Sequence, residues 1–130
     1  MTTLIVRSES LDDFLARAKT TAQQADQGQR LDKSITISFA NVLEMAAVLT
    51  KERTRILQSV LNSEKSLTEL AATLHRDASA VSRDVAKLEK AGLLCSALVA
   101  NPGHGRHKIV KAAAPRIELS AVLEADTATA

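Results

Sequence analysis

Ser66-Leu67-Thr68-Glu69-Leu70-Ala71-Ala72-Thr73-Leu74, then His75-Arg76-Asp77, then Ala78-Ser79-Ala80-Val81-Ser82-Arg83-Asp84-Val85-Ala86-Lys87-Leu88-Glu89-Lys90-Ala91-Gly92, is the stretch on which the fold turns. Ser66 and Glu69 have the spacing of a capping box: the hydroxyl reaches the third helical amide and the carboxylate reaches back. Leu67, Leu70, Ala71 and Leu74 follow at i, i+3, i+4 and i+7, which predicts a short helix of about two turns. After the break at His75-Arg76, Asp77 is placed to cap a second helix with Ala78, Val81, Val85 and Leu88 on its inner face and Gly92 just past its end. At about 100° per residue, Ser79, Arg83, Ala86 and Lys90 fall opposite that stripe, flanked by Ser82 and Lys87.

Upstream, Asn41 starts a helical stripe of Val42, Leu43, Ala46, Ala47 and Leu49, and Thr50 caps another carrying Ile56, Leu57, Val60 and Leu61 to about Ser63. Downstream, the apolar run from Leu93 to Ala100, the turn Asn101-Pro102-Gly103-His104-Gly105 and the run His107 to Val110 predict a β-hairpin with a basic loop. Two short helices joined by a tight turn, the second ending at a glycine and feeding a basic hairpin, are the order of a winged helix-turn-helix. Before it, Leu4-Ile5-Val6 is a short β-branched strand and Ser10 caps a helix bearing Leu11, Phe14, Leu15 and Ala18, with Gly28 as its stop. Ser34 to Phe39 alternates with period two as a half-buried strand does. The expected fold class is mainly α with small β (α+β): a β-α-β segment over 1–39 serving dimerisation or partner binding, a winged helix over 40–120, and a flexible tail over 121–130.

The chain has 130 residues, enough for one domain with one modest core. Phe14 and Phe39 are its only aromatics, so it lacks the stacking platforms of single-strand and RNA readers. A lone Cys95 excludes an intrachain disulfide and a thiol-rich zinc site and suits a reducing, cytoplasmic compartment. Three consecutive apolar residues at the N-terminus make neither a signal-peptide core nor a membrane span. Charge is unevenly spread: residues 50–111 hold eleven basic against six acidic side chains, residues 1–49 five against six, and residues 112–130 one against three. A basic module thus lies between acidic flanks.

Duplex DNA is the partner this pattern fits. A helix of about three turns enters the major groove, and small residues near its N-terminus let the backbone approach base edges. Ser79, Ser82 and Arg83 occupy those positions, Arg83 being the candidate for a guanine because its planar fork bonds O6 and N7 together. Lys87 and Lys90, Arg76 in the turn, and Arg106 and Lys108 in the wing are candidate phosphate contacts, with His104 adding charge at mildly acidic pH. Taken alone, the basic face of residues 79–90 would be an ordinary solvated surface; the capped helix before it and the hairpin after it give it a use. His104 and His107 with Cys95 imitate a metal site without a third convincing ligand, and Asp12-Asp13 is explained by the helix dipole. No convergent acid, base, nucleophile or cofactor site stands out, so the expectation is a non-enzyme with no cofactor.

The run from Ser82 to Leu94 resembles the end of the recognition helix in MarR-like winged-helix regulators. More narrowly, Phe39 to Leu43, Leu49 to Arg53, Ser66 to Leu74, Arg76-Asp77 and Arg83-Asp84-Val85 resemble a subfamily of small DNA-binding regulators, over most of residues 35–120. Members of that subfamily are often encoded beside a small toxin, so the resemblance implies an antitoxin that represses its own operon. The partners it implies are a palindromic operator, a second copy of the chain and a small cognate toxin. The rival keeps the fold as a protein-interaction module whose basic face meets an acidic partner.

Overall fold

A computed structural model of the chain describes residues 2–28, 34–101, 103, 105–123 and 125. In chain order the elements are β1 (Thr3–Ser8), α1 (Leu11–Asp26), β2 (Ser34–Phe39), α2 (Val42–Val48), α3 (Lys51–Asn62), β3 (Lys65–Ser66), α4 (Leu67–Leu74), α5 (Ala78–Lys90), β4 (Leu94–Asn101), β5 (Gly105–Ala112) and β6 (Arg116–Ser120). They form two small three-stranded sheets: β2-β1-β6, all parallel, and β3-β5-β4, antiparallel. The order α3, β3, α4, α5, β4, β5 is a winged helix, and the molecule as a whole is α+β.

Local chemistry explains most boundaries. The Ser66 hydroxyl accepts the Glu69 amide at 3.1 Å and the Glu69 carboxylate accepts the Ser66 amide at 3.4 Å, completing the capping box. Ser10, Asn41 and Thr50 cap α1, α2 and α3 through their side-chain oxygens. Asp77 differs from expectation. It holds the N-cap position of α5 without a side-chain bond to a backbone amide, because its carboxylate instead accepts the Ser79 hydroxyl. At the far end of α5 the Leu93 amide donates to Leu88 and the Gly92 amide to Glu89, a Schellman closure that needs the positive φ of 89° at Gly92. A Cβ at Gly92 would also meet Ile37 Cδ1 at 3.2 Å, so this glycine lets the end of α5 lie close against β2.

The core is one cluster. Ile56, Leu57 and Val60 of α3, Leu70 and Leu74 of α4, and Val81, Val85 and Leu88 of α5 meet Leu93, Leu94 and Val110 of the hairpin, with Leu4 and Val6 of β1 joining from the other sheet. Two strands lay outside the sequence reading. β3 has only two residues and exists by pairing with Ile109 and Val110. β6 joins β1 in register from Thr3 with Arg116 to Arg7 with Ser120, so the sheet begun by residues 1–39 takes its third strand from beyond the wing. The alternation of Ile117 and Leu119 with polar neighbours is the signal that marks it. Most of the expected tail falls outside the described residues.

Candidate nucleic-acid interface

The helix-turn-helix is held by a three-membered ion cluster. Arg76, in the turn after α4, donates to Asp84 Oδ2 at 2.8 Å, while Arg53 of α3 donates through Nε to Asp84 Oδ1 at 3.0 Å. Arg53 also donates to the carbonyls of Ala47 and Val48 at 3.0 and 3.1 Å, closing the end of α2. Arg76 Nε lies 3.7 Å from Glu52. Asp84 thus faces two guanidiniums from two elements. Burial pushes its carboxyl upward, but the hydrogen bonds from Arg76 and then Arg53, with their charges, outweigh this and hold it below the ordinary carboxylate value. The turn itself is tight because His75 takes the left-handed conformation at φ 54°, and the Arg76 amide closes back onto Ala71 at 3.0 Å.

With its inner face buried and Asp84 clamped at its flank, α5 turns the opposite face out. Ser79, Arg83, Ala86, Lys87 and Lys90 are exposed and Ser82 is half-buried beside them. Among the described residues, Arg83, Lys87 and Lys90 have no ion-pair partner, so this is a bare basic face on a helix of 13 residues. Lys87 and Lys90 also stand in the last turn, where the helix dipole favours positive charge.

A family model described as HVO_A0114 matches residues 48–118, which span the ion cluster, α5 and the hairpin. The chain belongs to the HVO_A0114 family. It is similar to a solved structure described as a "Possible transcriptional regulator from Methanosarcina mazei Go1", at 30% identity over 55% of this chain and 62% of that one, with a TM-score of 0.48. It therefore spans less than two thirds of that regulator. It is also similar to HlyU from Vibrio cholerae, at 26% identity over 56% of this chain and 74% of that one, TM-score 0.47. A third similar structure is S. aureus MepR, solved as a MepR–DNA complex, at 20% identity over 76% of this chain and 68% of that one, TM-score 0.44. No curated protein matches.

The candidate residues fall into two groups in this member of the family. Arg83, Lys87 and Lys90 share the open face of α5, with Ser82 at its margin, and Arg106 is exposed on β5. Three others are engaged within the fold. Arg76 is the clamp on Asp84, the Ser79 hydroxyl is given to Asp77, and Lys108 reaches back from the wing to Glu89 of α5 at 2.8 Å. Lys108 can do so because it sits opposite Leu98 on the hairpin face turned toward α5, whereas His107 pairs with Val99 on the other face. His104 lies outside the described residues. Sequence reasoning missed Arg53, whose partner is 31 positions away; its one signal is that its surroundings and those of Arg76 and Asp84 belong to the same resemblance.

Proposed function

We propose that the chain is a sequence-specific, double-stranded DNA-binding transcriptional regulator that works as a homodimer, and, more narrowly, an antitoxin of MarR-like type that represses its own operon. The observation that carries this reading is the open face of α5: three cations, Arg83, Lys87 and Lys90, without an ion-pair partner among the described residues, on a groove-sized helix whose angle is fixed by Arg53, Asp84 and Arg76. Arg83 reads a guanine edge, Lys87 and Lys90 bind phosphates, and Ser79 and Ser82 keep the helix close to the base edges. Arg106 extends the contact from the wing and His104 adds charge at mildly acidic pH, while Arg76 and Lys108 keep helix and wing in position and lend residual charge toward the backbone. Residues 1–39 hold the second copy or the toxin.

Two-fold pairing doubles a contact set that is small for one winged helix and matches half-sites one turn of DNA apart. The test is fluorescence anisotropy with a labelled duplex from upstream of the chain's own gene and a scrambled duplex, between roughly 50 and 200 mM salt. The expected result is preference for the first duplex and a linear fall of log affinity with log salt. No binding to either duplex at low salt overturns the DNA reading and leaves the protein-interaction module.

A further inference from the structure

Helix α1 is the outlier of the fold. It has 16 residues, none of them buried, and its stripe of Leu11, Phe14, Leu15, Ala18, Ala22 and Ala25 is open, with Leu11 70% and Leu15 54% exposed. What ties it down is polar. Arg17 donates to Glu9 Oε1 at 2.6 Å and to the Ser38 hydroxyl at 3.4 Å, binding the helix to the ends of β1 and β2. Beside it, among the described residues, β2 forms an open edge of the parallel sheet, and its sequence Ser-Ile-Thr-Ile-Ser-Phe carries no charge. The opposite edge, β6, is guarded by Arg116 and Glu118. Soluble proteins seldom leave a long uncharged edge free.

We propose that a second copy of this chain docks on the β2 edge and the α1 stripe together, about one two-fold axis perpendicular to the sheet. The Glu9 amide donates to Phe39, so Ile35, Ile37 and Phe39 bond inward to β1 and the amides of Ser34, Thr36 and Ser38 face the open edge. Antiparallel pairing of two such edges with Thr36 on the axis sets Ile35 against Ile37 on one face and Ser34 against Ser38 on the other. Ile35, half exposed in one chain although its neighbour Leu4 is fully buried, is covered by this step.

The same axis brings the helices together. The Arg17 bonds to Glu9 and Ser38 hold α1 beside β1 and β2, so pairing of two β2 edges brings the two copies of α1 toward one another. Around α1 the stripe is centred roughly 110° from Arg17, which meets Glu9 and Ser38, so it is turned away from that tether and open to a second copy. Antiparallel packing about Ala18 sets the bulky half, Leu11 to Leu15, against the small half, Ala22 to Ala25. Strand edge and helix stripe are therefore each self-complementary in an antiparallel pair.

This inference rests on the symmetric-regulator reading only for its purpose, and it is tested without DNA. Sedimentation equilibrium should give twice the chain mass for the wild type and the single-chain mass for Leu15→Glu and for Thr36→Pro, both with unchanged far-ultraviolet circular dichroism, since Leu15 and the Thr36 amide face solvent in one chain. In a Cys95→Ser background, Thr36→Cys should form a self-crosslink under mild oxidation, because paired edge residues on an axis stand within disulfide reach. A monomeric wild type, or a dimer that survives both substitutions with no crosslink, overturns the proposal and leaves the α5 surface untouched.

Discussion

On α5 the apolar positions Val81, Val85 and Leu88 are all fully buried, whereas on α1, a longer helix with as regular a stripe, Leu11, Phe14 and Leu15 stay largely open. The difference lies in what surrounds each helix. α5 is enclosed by α3, α4 and the hairpin, and its burial removes apolar surface from water at about 25 cal/mol per Å². α1 touches the rest of the chain mainly through a guanidinium, so its stripe contributes little to the stability of one chain. Regular amphipathicity therefore has two meanings in this molecule: on α5 it builds the core that presents a basic face, and on α1 it leaves an apolar surface free for association.

The largest expected effect tests that contrast directly. Leu88→Ala should lower the unfolding free energy by about 2–5 kcal/mol, because α5 cannot collapse onto the space left. Leu15→Ala should change it by under about 0.5 kcal/mol in dilute solution. Urea titrations of both variants decide it, and similar losses would mean that α1 is part of the stabilising core.

Next in size is the cluster behind α5. Asp84→Ala leaves two guanidiniums facing each other and should cost about 2 kcal/mol, between the values for exposed and buried pairs. The folded-state pKa of Asp84 is lowered, so its stabilising contribution is complete above the unfolded value and is lost as pH falls through the folded one. Asp84→Asn should accordingly flatten the fall in melting temperature below about pH 4, while Glu9→Gln should act in the same pH direction but on the docking of α1, which hydrogen exchange in that helix reports. The cause at Glu9 is first the Arg17 hydrogen bond, opposed by burial.

On the basic face itself the two cations should part. Arg83→Ala should cost about 1–3 kcal/mol on the preferred duplex and relax discrimination there, whereas Lys87→Ala should weaken all duplexes alike and reduce the salt slope by about one. Equal losses on both duplexes for both variants would remove the base-reading role from Arg83. The smallest effect on folding belongs to the wing: Arg106→Ala should leave the melting temperature within about 1 °C and weaken duplex binding without changing sequence preference. A large fall in melting temperature would make the hairpin tip structural.

Much of this was legible along the chain because the signals are local. The capping box at Ser66 and Glu69, the stripe Val81-Val85-Leu88 and the glycine stop at Gly92 act within four or five residues, and the structure places them as their spacing requires. The two faces of α5 follow from the same periodicity, so the position of Arg83, Lys87 and Lys90 opposite the core was readable too.

What required the tertiary structure was every pairing between distant residues. The sequence alone determines a winged helix with a basic outer face, since helix period, caps and turn residues depend on near neighbours. Only the folded chain decides that Arg76 is turned onto Asp84, that Lys108 serves Glu89, that β6 completes the sheet of β1, and that α1 buries nothing. An arginine beside a turn has the same local signature whether it meets a phosphate or a carboxylate from the next helix. The choice is made by the position of a partner eight residues away for Arg76 and 31 away for Arg53, and that position exists once the helices have packed.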